Sequence, residues 1–126
     1  PANGGTARLT RLVGRGRALR MILLAEHVDA MQAEQLGIVD WVVAPEIFDE
    51  EVSSIADRLA KLAPVSARAI IDTVSRSADM TIDHAIDYEH RWFQICLGSA
   101  DKQEGVDAFL QKRTPDFGRA DNRDRF

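Results

Sequence analysis

Gly4 and Gly5 stand immediately before the apolar positions Leu9, Leu12 and Val13, whose spacing predicts a helix. A tight glycine turn opening a helix can aim backbone N–H groups at an anion or an oxygen. The same pattern also serves as a plain helix-opening turn, with Thr6 or Asn3 placed to cap the helix. The other residues able to do chemistry are dispersed. Asp87, Glu89, His90 and Arg91 share one predicted helix and read as a solvated charged face. Glu50 and Glu51 read as first-turn carboxylates favoured by a helix dipole. His27, His84 and His90 lack ligand spacing, with no cysteine or histidine placed to complete a zinc site. No Ser–His–Asp arrangement and no G-x-S-x-G elbow is present. Cys96 is the single cysteine, so an internal disulfide is excluded and a reducing compartment is expected, with the thiol buried and inert. Trp41 and Trp92 read as packing residues.

The elements that must position these groups are almost all helices. Gly14-Arg15-Gly16 interrupts the first helix, and a second is expected over 17–26 from the spacing of Ala18, Met21, Ile22 and Ala25. Asp29 is a candidate N-cap for a short third helix over 30–36, with Gly37 as its stop. Residues 38–43 are rich in β-branched side chains and predict the chain's one short strand, closed by Pro45. Ile47, Phe48, Val52, Ile55, Ala56 and Leu59 form one stripe on a helix reaching about residue 62. Pro64 suits the first turn of the next helix, over 65–76. Thr81 or Asp79 caps a long helix ending at Leu97 before Gly98, and a final helix is expected over 101–113, stopped by Thr114-Pro115. Residues 114–126 form a polar tail, with the stretch from 118 expected to be mobile. The fold class is mainly α. Apolar faces such as Ile70, Ile71, Val74 and Phe93, Ile95, Leu97 either close on one another or cover a larger assembly.

With 126 residues the chain is one domain or a piece of one. Sixteen basic against twenty acidic residues give a net charge of −4, with both signs interspersed. That balance excludes an extended nucleic-acid surface, although Arg8, Arg11, Arg15, Arg17 and Arg20 make the first twenty residues locally basic. No apolar run is long enough to span a bilayer and no signal-peptide pattern is present, so a cytoplasmic protein is expected.

The wording of the chain goes further than its periodicity. Pro1-Ala2-Asn3-Gly4-Gly5-Thr6-Ala7-Arg8-Leu9 resembles the P-G-x-G-G-T-x-R-L segment of the crotonase superfamily, the enoyl-CoA hydratases and isomerases. The resemblance continues through Val13-Gly14-Arg15-Gly16-Arg17-Ala18 and Val28-Asp29-Ala30. It runs on through Ala33-Glu34-Gln35-Leu36-Gly37-Ile38-Val39-Asp40-Trp41-Val42-Val43 and ends with Ser99-Ala100-Asp101-Lys102-Gln103-Glu104-Gly105-Val106-Asp107-Ala108-Phe109-Leu110-Gln111-Lys112-Arg113. It covers nearly the whole chain, but only the C-terminal half of a typical family member.

What this resemblance implies is an acyl-CoA enzyme of crotonase-like α/β spiral fold. Residues 1–113 would form its C-terminal helical, trimerising region. The family holds a thioester enolate in an oxyanion hole of two backbone N–H groups and moves protons with one or two glutamates. Those segments precede the glycine turn, so no catalytic side chain is assigned in this chain. The family glycine after the proline, whose N–H helps hold the catalytic water, is Ala2 here, which keeps a backbone donor. The phenylalanine and lysine matching Phe109 and Lys112 contact coenzyme A in the family. Placed i and i+3 on one helix, they would share a face. The implied partners are an acyl-CoA, an N-terminal half and further copies in a trimer or dimer of trimers. No cofactor is implied beyond the coenzyme A of the substrate, and neither metal, nucleic acid nor membrane. The alternative is a non-catalytic helical oligomerisation or binding module derived from this family.

Overall fold

A computed structural model describes residues 3–118, whose regular elements are all helices. The helices are α1 (Gly5–Val13), α2 (Arg15–Leu23), α3 (Ala30–Gln35), α4 (Phe48–Ala60), α5 (Pro64–Ser77), α6 (Ile82–Leu97) and α7 (Ala100–Leu110), with a single 3-10 turn at Pro45–Ile47. The chain divides into two compact units, one up to Val52 and one from Ser53. The expectations for Ala2 and for residues 119–126 lie outside the described residues.

In the first unit α1 packs on α2, burying Val13 and Ala18. A single residue joins the two helices. Gly14, at φ 80° and ψ 159°, ends α1 through its N–H to Thr10 O (3.0 Å) and begins α2 by accepting from Ala18 N (3.1 Å). The α2 helix therefore starts at Arg15, earlier than the spacing suggested, and α1 is opened by Gly4 without a side-chain cap, by neither Thr6 nor Asn3. For α3 the expected stops are in place. Asp29 Oδ1 accepts Gln32 N–H at 2.8 Å and Gln32 Oε1 accepts Asp29 N–H at 3.2 Å, a reciprocal capping box. At the other end Gly37 takes φ 69°, and Ile38 N–H bonds back to Ala33 O at 2.9 Å.

The strand expected over 38–43 does not form. Among the described residues no strand is present for it to pair with, and two of its backbone donors are bonded locally. Ile38 N–H closes α3, while Val42 N–H donates to Glu34 Oε1 at 3.1 Å. The β-branched composition measures fitness for a pleated, half-buried surface, and without neighbouring strands that preference has nothing to act on.

The second unit is built on the α5–α6 pair, with α7 against both. Its buried residues are small, Val65, Ala69 and Ala108, together with the carboxylate of Asp101. Large apolar side chains stay open instead: Ile71 is 68% exposed, Ile82 73% and Leu110 71%. A fully buried side chain of this kind gains roughly 1.5–3 kcal/mol over an exposed one, so these helices forgo most of the burial their sequence offers.

Candidate functional site

The end of α7 gathers the residues that the sequence singles out. Ser99 opens the helix by accepting Lys102 N–H at 3.3 Å and donating its own hydroxyl to Cys96 O at 2.7 Å. Eleven residues later the helix stops at Leu110, short of the expected 113. Lys112 lies outside it, in the left-handed region at φ 52°. Its N–H bonds to Phe109 O (3.2 Å) and the N–H of Arg113 to Ala108 O (3.0 Å), the paired bonds of a Schellman stop with lysine where glycine is usual. Phe109 and Lys112 thus do not share a helix face as their spacing suggested: Phe109 lies in the last turn of the helix and Lys112 in the turn beyond. Phe109 is 81% exposed, the most open of the large apolar residues described.

The turn beyond α7 is tied down. Glu104, one and a half turns earlier on α7, accepts both Arg113 Nη1 (2.5 Å) and Arg113 Nη2 (2.8 Å), and also the backbone N–H of Asp116 (2.7 Å). Hydrogen bonding to Glu104 pushes the Arg113 guanidinium above its ordinary pKa. Arg113 Nε donates to Gln111 Oε1 at 2.8 Å, so all three guanidinium nitrogens are engaged. Both ends of this fork lay within the motif quoted from the sequence, but pairing across nine positions is invisible to helical periodicity.

A second group of polar residues staples α5 to α6. Asp72 Oδ1 accepts Arg76 Nε at 2.8 Å, and Asp72 Oδ2 accepts Trp92 Nε1 at 2.9 Å together with the Tyr88 hydroxyl. The hydrogen bond from Arg76, then those from Tyr88 and Trp92, lower the Asp72 carboxyl to a pKa of about 2. Trp92 therefore packs through its indole N–H as well as its ring. Beside this staple the two helices leave a groove of about 680 Å³ floored by Ile70, Val74, Ile86 and Phe93. Cys96 lines the groove and is half-buried.

The remaining candidates stay apart. Asp87, Glu89, His90 and Arg91 are exposed, and the His90 ring meets only Phe93 edge-on at 6.3 Å. Glu26 pairs with Arg20 at 2.8 Å, and Glu34 holds Val42 N–H. Among the described residues no set of three His, Cys, Asp or Glu could hold a metal ion, and no helix is long and apolar enough to cross a membrane. At the opening of α1, Asn3 and Gly4 are both left-handed, at φ 55° and 88°, and Arg8 Nη1 holds Asn3 O at 3.2 Å.

Comparison with known proteins decides what this arrangement belongs to. The model of the enoyl-CoA hydratase/isomerase family matches residues 1–120. The chain belongs to the enoyl-CoA hydratase/isomerase family. A probable enoyl-CoA hydratase of Rhizobium meliloti is 37% identical over 93% of the chain and 46% of its own length. A short-chain-enoyl-CoA hydratase of Clostridioides difficile is 38% identical over 86% of the chain and 70% of its own length. An enoyl-CoA hydratase subunit of Geobacillus kaustophilus superposes with a TM-score of 0.87 at 41% identity, covering 93% of the chain and 46% of that structure. The helical arrangement is thus that of crotonase-fold enoyl-CoA hydratases, and the chain spans about half the length of the first relatives it matches.

Proposed function

We propose that this chain is the C-terminal portion of an enoyl-CoA hydratase or isomerase, with residues 1–113 as its helical, oligomerising region. The whole protein acts on a 2-enoyl-CoA thioester through an enolate. The enolate oxygen is held by an oxyanion hole, and protons are moved by glutamates, that an N-terminal portion supplies. This chain contributes the Ala2 N–H on the water side, the coenzyme A contact and the apolar faces on which a trimer or dimer of trimers assembles in the cytoplasm. The observation that carries the reading is the end of α7, where Phe109 stands 81% exposed beside Lys112 in a family member. A ring so open, next to an ammonium that makes no ion pair among the described residues, suits an adenine face and a phosphate.

Two measurements test it. Intact-mass analysis of the purified protein should find an N-terminal polypeptide in company with this chain, and only the pair should hydrate crotonyl-CoA. Loss of even one oxyanion-hole donor costs on the order of a hundredfold or more in kcat, so the chain alone is expected to be inactive. Turnover by the 126 residues alone would overturn the division of labour. In parallel, Phe109→Ala should weaken coenzyme A binding by roughly tenfold, one stacked base, with no loss of stability. The open α5–α6 groove favours one other reading, a non-catalytic helical module that binds a partner. A lone, self-associating species with no affinity for coenzyme A would establish that instead.

A further inference from the structure

We infer that Glu104 is the positioning residue of the coenzyme A contact, setting where Lys112 stands relative to Phe109. The inference rests on the reading of Phe109 and Lys112 just given. Lys112 has left the helix, so helical geometry no longer fixes its Cα. Left-handed backbone is unfavourable for an L-residue, and the two Schellman hydrogen bonds, at 3.0 and 3.2 Å, are what the stop offers against it. The additional hold comes from the next residue. Arg113 is forked onto Glu104, and Glu104 also takes the Asp116 N–H, so the chain on the far side of Lys112 is bound to α7 at three points. The side chain of Glu104 is only 18% exposed, which limits competition from water.

The same fork divides labour between two neighbouring cations. Arg113 commits four of its five N–H donors, to Glu104, Gln111 and the Thr114 carbonyl. Among the described residues Lys112 makes no ion pair. Asp107, the other carboxylate near this turn on α7, accepts Gln103 Nε2 at 3.0 Å. Asp116 is occupied with the Gly118 N–H at 3.0 Å.

This arrangement makes the test one of sign. Glu104→Gln removes a negative charge from the turn that carries Lys112 and breaks the Arg113 fork. If Glu104 acted only through charge, coenzyme A would bind the variant more tightly. If it positions the turn, coenzyme A binds more weakly despite the added positive charge. We expect a loss on the order of tenfold by titration calorimetry on the full chain, with Glu104→Asp intermediate because the fork is shortened. Amide exchange at Lys112 and Arg113 should accelerate on the order of tenfold in Glu104→Gln, without ligand present. Lys112→Ala separates the two layers. If Lys112→Ala weakens binding while Glu104→Gln leaves it unchanged or tighter, the positioning role is overturned and the coenzyme A contact stands. If Lys112→Ala binds as the parent does, the contact itself fails and the inference falls with it. Unchanged amide exchange in Glu104→Gln overturns the positioning role whatever the binding shows.

Discussion

The carboxylate of Asp101, at the start of α7, accepts the backbone N–H of Val65, at the start of α5, at 2.8 Å and across 36 positions of sequence. Asp101 is 3% exposed, so the opening of α5 is capped from another helix rather than from its own Ala63, which offers no oxygen side chain. The bond also places negative charge at a helix N-terminus, where the dipole favours it.

Removing that cap should be felt by the whole second unit. Asp101→Ala strips a buried acceptor and leaves the Val65 N–H without its partner, at a cost of about 2 kcal/mol. Urea unfolding should show a lower midpoint, whereas Ser99→Ala, which removes an exposed cap bond and the part-buried bond to Cys96 O, should cost less than Asp101→Ala does. Equal losses would mean that the long-range cap adds nothing special.

The Asp72 staple predicts an acid-dependent term. Its carboxyl is depressed from 3.8 to about 2, so the folded state holds the proton more weakly than the unfolded chain does. The stabilisation is complete above the unfolded value near 4 and disappears as pH falls through about 2. Acid titration of the parent followed by circular dichroism should therefore lose stability between those values. Asp72→Asn should lack that part of the slope, and a variant with an unaltered slope would mean that the hydrogen bonds from Arg76, Tyr88 and Trp92 do not persist in solution.

Two non-glycine residues occupy helix stops that glycine would fill without strain. Ala25, at φ 50°, ends α2 with the N–H of Glu26 bonded to Met21 O at 3.1 Å, and Lys112 does the same for α7. Ala25→Gly should raise stability by about 1 kcal/mol by relieving the left-handed strain. Lys112→Gly should bring a similar gain, yet weaken coenzyme A binding. A pair of opposite effects at Lys112 beside a plain gain at Ala25 would identify Lys112 as a residue kept for contact at the expense of stability.

What was legible in the sequence was whatever a few adjacent residues decide by themselves. Asp29 and Gly37 bracket α3 because capping boxes and left-handed stops are made within a turn or two. The segments from Pro1 to Arg113 announced the family because wording survives where geometry is hidden. The strand over 38–43 failed because a strand is a property of a sheet, and its β-branched residues carry no information about whether neighbours exist. Trp92 looked like simple packing because its partner Asp72 lies 20 positions away on another helix. The Glu104–Arg113 fork escaped for the same reason, since it forms only once α7 has ended and the chain has doubled back.

Gly14 has room around it: a Cβ built there would meet no atom within 4 Å. Packing therefore places no demand on this residue, and its value is entirely torsional. With one helix ending and the next beginning on either side of it, two dihedral angles act as a steering joint. Together with the packing of Val13 and Ala18 they aim α1, which carries the left-handed pair Asn3–Gly4 at its far end. A side chain at Gly14 would fit in space and still be strained by the backbone angle that joins α1 to α2.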